Sequence, residues 1–516
     1  MNRTGVLVVG AGPTGLALAL WLSRLGVAVR IVDRDAGPGE TSRALAIHAR
    51  TLELYRQLDL AEAVLARGRR VPAVNLWARG EKAARISFDA VGAGLTAFPF
   101  LEIFPQDEHE RLLIDRLATF GVAVERNTEL IGFFDEGDGV GARLRGPDGT
   151  EEICEATYLA GCDGAHSTVR GLLQAGFPGG TYGRVFYVAD VEASGPALDG
   201  ELHIDLDEAD FLAVFPLAGA GRARLIGTVR DERAARAETL TFTDVGARAI
   251  AHMKVAVETL NWFSTYRVHH RVAEHFRFGR VFLLGDAAHI HSPAGGQGMN
   301  TGIGDAINLA WKFAAALGGF APDSLLDSYE AERIGFARRL VATTDRVFSF
   351  ATAEGRVADL MRTRLTPLLL PRLMALQPVR DYVFRTVSQI ALNYRGGPLS
   401  EGSAGAVAGG DRLPWAPDGT RDNFAPLSDM CWQAHVYGAA GRALSAWCDD
   451  RGLPLHVFGW GPAPLAAGLA RDALYLVRPD GYVALADPAG QPAALERYFA
   501  RQGLVWARRD RRSAAE

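Results

Sequence analysis

Apolar residues gather in short, nearly unbroken runs that end at glycine or aspartate. Val6 to Val9 runs into Gly10-Ala11-Gly12-Pro13-Thr14-Gly15, Tyr158 to Ala160 into Gly161-Cys162-Asp163-Gly164, and Val281 to Leu284 into Gly285-Asp286. Runs this short, bounded by turn formers, predict buried strands. Behind the first, an Ala/Leu-rich helical stretch to Leu25, a stop at Gly26 and a second strand Ala28 to Val32 closed by Asp33 complete one βαβ unit. A helix is expected from Ile47 to Leu58 and another from Gln106, with Asp107 and Glu108 in its first turn. Loose alternation over 71–104 and β-rich patterning over 181–272 predict an antiparallel sheet. The Gly-rich stretch 396–410 reads as a linker, and beyond it strands alternate with helices around a hairpin turn at Pro479-Asp480-Gly481. The expected domains are 1–180 with 276–395, then 181–275 with contributions from 71–104, and, after the linker, 411–516.

Length supports this division, since 516 residues suggest about three domains at roughly 150 residues each. With 48% hydrophobic and 22% charged residues the chain reads as globular. A net charge of −5, with basic residues clustered only at Arg508-Arg509-Asp510-Arg511-Arg512, predicts no nucleic-acid partner. The cysteines Cys154, Cys162, Cys431 and Cys448 form no C-x-x-C and no metal-ligand spacing with histidine, so no metal site is expected. Reduced thiols, no apolar run of the ~18 to 20 residues a span needs, and glycines inside the first apolar run predict a cytoplasmic protein without a membrane anchor, monomeric or homodimeric.

The first loop has the chemistry of a dinucleotide site. Gly10 permits the tight turn, Gly12 lets a pyrophosphate approach the backbone, and Gly15 lets helix and strand pack closely. The helix N-terminus offers N–H groups to phosphate, and Asp33 stands where an acid binds a ribose hydroxyl. This unit alone does not separate FAD from NAD. A cofactor longer than one mononucleotide, gripped along its length, accounts for all three strand ends.

With these motifs, and Pro293-Ala294-Gly295-Gly296-Gln297-Gly298-Met299-Asn300 after the third, residues 1 to about 395 resemble the single-component (class A) FAD-dependent aromatic hydroxylases. That family includes para-hydroxybenzoate hydroxylase, the phenol-type monooxygenases and the polyketide aromatic hydroxylases; the tail resembles the thioredoxin-like third domain of the phenol and polyketide members. The resemblance implies an α/β architecture: a Rossmann-like FAD-binding domain of glutathione-reductase type, an inserted antiparallel β-sheet substrate domain and a C-terminal thioredoxin-like domain. It implies FAD contacts from Gly10, Ala11, Gly12, Pro13, Thr14, Gly15, Asp33 and Arg34, and from Gln106, Arg111 and Leu130. Asp163 and Gly164 match the motif tied to both FAD and NAD(P)H, Asp286 the acid on the ribityl chain, and Gly296, Gly298, Met299 and Asn300 the turn against the isoalloxazine. Arg43 matches the arginine that lies near the flavin and pyrophosphate, a cofactor contact, and the resemblance places it with Pro293 at the reacting centre. The implied reaction uses NADPH or NADH and O2, through a flavin C4a-hydroperoxide, to hydroxylate a phenolic or polycyclic aromatic compound.

Several side chains carry two readings. His48 and His203 could take a phenolic proton or merely pack. Phe211 and Phe215 share one face of a strand and could wall a planar substrate or belong to the core. His289 and His291 read as structural, and Cys431, lacking a second cysteine two residues on, argues against disulfide chemistry in the tail. The rivals to ring hydroxylation are Baeyer–Villiger oxidation, epoxidation, and a flavin-binding protein that sequesters an intermediate without turnover. The absence of a Trp-x-Trp-x-Ile-Pro segment argues against a halogenase.

Overall fold

The first sheet is built around strand Arg3–Val9, whose Val6, Leu7 and Val8 are fully buried. The computed structural model describes residues 3–39, 44–88, 91–206, 211–229, 240–245, 247–292, 294–352, 355–419 and 421–505; Arg43, Pro293 and the 508–512 tail lie outside them. Five parallel strands run in the order Val281–Leu283, Glu151–Gly161, Arg3–Val9, Val29–Val32, Val124–Glu125. Strands Glu129–Asp135 and Val140–Arg145 extend Glu151–Gly161 as an antiparallel meander. Helix Pro13–Arg24 is buried all round from Leu16 to Leu22 because it is packed between this sheet and helices Gly298–Leu317 and Gln106–Ala118.

Among the described residues the middle sheet has eight strands, including Gly179–Ser194, Ala256–Val272, Arg222–Val229 and Leu212–Pro216, and it recruits Ala73–Ala78 and Glu81–Ser87 from the 71–104 segment as expected. It departs from the expected antiparallel sheet at one pair: Leu202–Asp205 lies parallel to Ala73–Ala78, since these strands come from distant segments and no hairpin constrains them. It also reaches past residue 275 to His289–Ile290.

A third sheet runs in the order Val407–Ala408, Glu401–Ala404, Val483–Asp487, Leu474–Val477, Gln433–Tyr437, Leu455–Phe458. The stretch 396–410, expected as a linker, thus supplies two strands of this sheet; its glycines serve tight turns, with Gly402, Gly405 and Gly410 at positive φ. The hairpin at Pro479-Asp480-Gly481 is as expected, with Gly481 N–H donating to the Arg478 carbonyl at 2.9 Å. Among the described residues no helix is long and apolar enough to cross a membrane.

Candidate functional site

Because the first-sheet strands are parallel, the loops after residues 9, 32, 161 and 283 emerge at one edge, the edge where open α/β sheets bind ligands. Cys162 N–H donates to the Val9 carbonyl at 2.7 Å and Leu284 N–H to the Gly161 carbonyl at 3.0 Å, so the three strand ends are locked side by side.

The glycines of the first loop divide by what surrounds them. Gly10 has φ +102°, and a Cβ there would collide with the Cys162 carbonyl; a Cβ on Gly15 would collide with the Gly10 carbonyl. Gly12 is different: its backbone suits any residue, yet beyond its chain neighbours no described atom lies within 4 Å of where its Cβ would be. Gly12 also caps helix Pro13–Arg24, which has no side-chain cap and no acid in its first turn. An open approach in front of free N–H groups fits a pyrophosphate. Asp33 accepts from Ala11 N–H at 2.5 Å and Asp35 N–H at 2.8 Å, with Arg126 at 3.6 Å. A carboxylate has about four acceptor positions, so a ribose hydroxyl still has room. Arg34 is exposed beside it.

The late segment is fastened to this loop through Thr14. Gly285 (φ +56°) and Gly302, inside helix Gly298–Leu317, both pack on the Thr14 side chain so closely that a Cβ on either would clash with it. Gly302 was not singled out in the sequence, although an isolated glycine inside a helical pattern signals close approach of this kind. Asp286 is exposed in the turn Gly285–Ala287. Asp163 caps the next turn, accepting from Ser167 Oγ at 2.6 Å and Val169 N–H at 3.0 Å, while Gly164 (φ +78°) leaves the space beside it open. Arg170 ties the two turns together by donating to the Ala287 carbonyl at 2.9 Å.

The glycine turn before helix Gly298–Leu317 is held from beneath. Asn300 donates to the carbonyls of Ala46 (2.9 Å) and Gly296 (3.0 Å) and accepts from His48 N–H (2.9 Å) and Thr51 Oγ1 (2.7 Å), so its side chain holds the turn. His48 Nε2 meets the carbonyls of Gly295 and Gly296 at 3.0 and 3.1 Å, which fixes its proton on Nε2. Burial lowers its pKa to about 4. His48 therefore uses its Nε2–H to hold the turn, and burial makes its imidazole a weak base. Replacing it with alanine is expected to weaken FAD binding roughly 5- to 10-fold, the equivalent of about 1–1.5 kcal/mol for a lost hydrogen bond, read by fluorescence titration. Since the native pKa lies below the unfolded 6.5, the unfolded chain takes up the proton first. Stability present above pH 6.5 is thus lost as pH falls toward 4, and denaturant midpoints of the alanine variant should depend less steeply on pH there.

Met299 contacts His109, itself 2.6 Å from the Tyr55 hydroxyl and held down to about 3 by burial. Gln106 donates to Glu110, whose other oxygen accepts Gly39 N–H, linking this helix to the loop after Asp33. Arg111 is exposed and paired with Asp107 at 2.9 Å. Leu130 is 2% exposed, in the first-domain core.

The middle sheet has one closed face and one half-open face. Tyr187, Val214 and Leu225 pack under helix Ala247–His252. On the opposite face Phe186, Phe211, Ile226, Tyr266 and Phe215 form an apolar surface continuous with Leu45 and Ala46, and Ala46 abuts Gly296. Phe211 and Phe215 thus stand on the face that meets the glycine turn. His203 does not: it pairs across the strands with Val214 on the closed face, fully buried between Trp77 Nε1 (2.8 Å) and Asp199 (2.7 Å). Its expected role at the substrate is corrected by this parity. A His203→Asn variant is expected to lose about 1–2 kcal/mol of stability while KM for an aromatic substrate stays within about twofold, as melting and steady-state assays would show.

A family model described as an FAD binding domain matches residues 3–344. The chain is 38% identical over 508 residues to 6-methylpretetramide 4-monooxygenase of Streptomyces rimosus, covering 93% of this chain and 90% of that protein. Its fold is similar to an anhydrotetracycline hydroxylase from Streptomyces rimosus, with a TM-score of 0.78 at 29% identity over 98% of this chain and 100% of the other. It is also similar to a Diels-Alderase of pyrroindomycin biosynthesis, with a TM-score of 0.75 at 30% identity over 96% and 99%.

Proposed function

The chain belongs to the FAD-binding-domain family, and from that premise we propose that it is an FAD-dependent monooxygenase that uses NADPH or NADH and O2 to hydroxylate a phenolic or polycyclic aromatic compound. The observation that carries this reading is the half-buried aromatic face of the middle sheet, laid through Ala46 against the Gly295–Asn300 turn. Bound FAD, once reduced, supplies an activated oxygen equivalent drawn from O2.

The chain's own part is binding, orientation and exclusion of water. The open approach at Gly12 and the uncapped helix behind it would hold the pyrophosphate, Asp33 a ribose hydroxyl, and Asp286 the ribityl chain. Helix Gly298–Leu317 has 20 residues, no side-chain cap and no acid in its first turn, so its positive end would favour negative charge on the flavin. Phe211, Phe215 and Tyr266 would stack a planar ring and keep water away from it. With His48 neutral and donating to carbonyls, no base is assigned to the reaction. The strand order of the third sheet, with Gln433–Tyr437 parallel to Leu455–Phe458 and antiparallel to Leu474–Val477, supports a thioredoxin-like C-terminal domain.

The test is a panel of phenols and polycyclic quinones assayed for stimulated NADPH or NADH consumption, with mass detection of a product carrying one atom of labelled oxygen. Hydroxylation requires stimulation and label in a ring hydroxyl, whereas label within a lactone or epoxide selects insertion or epoxidation instead. The likeness to a Diels-Alderase favours a second reading, in which FAD is retained without turnover. Product formed without oxygen or nicotinamide would select it.

A further inference from the structure

We propose that Asp305 and Arg333 are positioning residues for FAD, holding the Gly285–Ala287 turn from behind and themselves held by the third domain through Tyr394. The proposal rests on membership of the FAD-binding family and is independent of the hydroxylation reading.

Asp305 lies on helix Gly298–Leu317 and is 1% exposed. Its Oδ2 accepts from Gly285 N–H at 3.1 Å and from His289 Nε2 at 2.7 Å, so one oxygen ties together both ends of the turn that presents Asp286. Its Oδ1 accepts from Arg333 Nε at 2.6 Å. Arg333, equally buried, donates further to the Thr301 carbonyl and the Tyr394 hydroxyl, both at 3.0 Å. Thr301 is in the first turn of the helix whose N-terminus faces the flavin side, so Arg333 braces both cofactor-facing segments at once. Burial alone would raise the Asp305 carboxyl; the Arg333 guanidinium and the hydrogen bond from His289 overcome that and hold it ionised.

Tyr394 is fixed from the other side. Its N–H donates to the Gly410 carbonyl at 2.7 Å, its ring lies 4.4 Å from that of Tyr482, and the Arg478 guanidinium sits 5.4 Å from its ring centre. A continuous line of buried contacts therefore runs from the third domain through Tyr394, Arg333 and Asp305 to the backbone of Gly285. A turn tied by a charged, fully paired group has one well-defined conformation, which spares the cofactor the ordering it would otherwise impose on binding.

Removing the Asp305 charge also shifts the balance between oxidised and reduced FAD. The reduced form carries more negative charge, and a buried carboxylate opposes it more than it opposes the oxidised form. The experiment strips FAD from the full-length protein, titrates oxidised and reduced FAD back by fluorescence, and melts each apoprotein. Asp305→Asn is expected to raise the Kd for oxidised FAD at least tenfold and the ratio of oxidised to reduced Kd at least threefold. Tyr394→Phe, which removes only the hydroxyl, is expected to raise the oxidised Kd at least threefold. Tyr498→Phe is the control: its buried hydroxyl donates to the Leu399 carbonyl at 3.0 Å, off this line, so it should lower the melting temperature and leave both Kd values within twofold. If Asp305→Asn does not fold, Tyr394→Phe decides alone by its own threshold. Variants that bind FAD within twofold of the unaltered protein, with an unchanged ratio, would overturn the proposal.

Discussion

A Gly12→Val variant is expected to fold, to melt close to the unaltered apoprotein, and to purify without FAD. The first two outcomes follow because a Cβ at Gly12 would meet no described atom within 4 Å beyond its chain neighbours, and the backbone there is extended, a conformation valine accepts. The third follows because the space that receives the side chain is the approach to the free N–H groups of helix Pro13–Arg24. An isopropyl group in that position keeps phosphate oxygens beyond hydrogen-bond distance of the backbone, so a loss of about 100-fold or more in FAD affinity, ~2.7 kcal/mol, is expected. Gly15→Ala separates this explanation from general fragility. Its Cβ would collide with the Gly10 carbonyl, so that variant should lose melting temperature as well as cofactor. Absorbance near the flavin bands, set beside a thermal melt, checks both; a yellow Gly12→Val protein would show that the pyrophosphate does not pass this glycine.

Gly12 and Gly15 also show how far the amino-acid pattern reaches. Their spacing, the flanking strand and the terminal Asp33 are local features, and the structure places them as that pattern requires. The two later strand ends were legible for the same reason, each being a short apolar run stopping at glycine. What makes these segments one site was not legible. Thr14 receives both Gly285 and Gly302, a contact between residues nearly 300 positions apart, and no periodicity encodes it. His203 and the Phe211–Phe215 pair show a second limit. Alternation tells which residues share a face but not which face is closed, and Trp77 and Val214 assign His203 to the closed one. The strands in 396–410 were hidden because glycines at tight turns resemble those of a flexible linker.

Buried charge was the least legible feature, because an ionised residue in the core is intelligible only with its partner, and the partner lies far along the chain. Glu332 is the extreme case. It accepts from Arg478 at 2.6 and 3.0 Å across 146 positions and from Lys312 at 2.9 Å, while Arg478 also holds Asp480 at 2.6 and 3.0 Å; all four side chains are 2% exposed or less. Two acids and two bases leave this cluster neutral, and it joins the third domain to the first. Glu332→Ala leaves it with an uncompensated positive charge and is expected to cost about 3–5 kcal/mol, read from denaturant midpoints. A Glu332→Ala, Arg478→Met double variant restores neutrality with Lys312 and Asp480, so it should be less unstable than the sum of the single losses. The pH dependence follows from the two shifted groups. Despite burial, Arg478 and Lys312 hold Glu332 down to about 2, against 4.5 unfolded, so its contribution is complete above pH 4.5 and lost as pH falls toward 2. Burial lowers Lys312 to about 8, and without Glu332 it loses its proton at lower pH still. The native variant then sheds a proton that the unaltered protein keeps up to about pH 8, so its stability climbs more steeply over that interval. The deficit is therefore expected to be largest near about pH 5 and to narrow on both sides; a deficit that does not vary with pH would mean that lost packing, not lost charge, sets the cost.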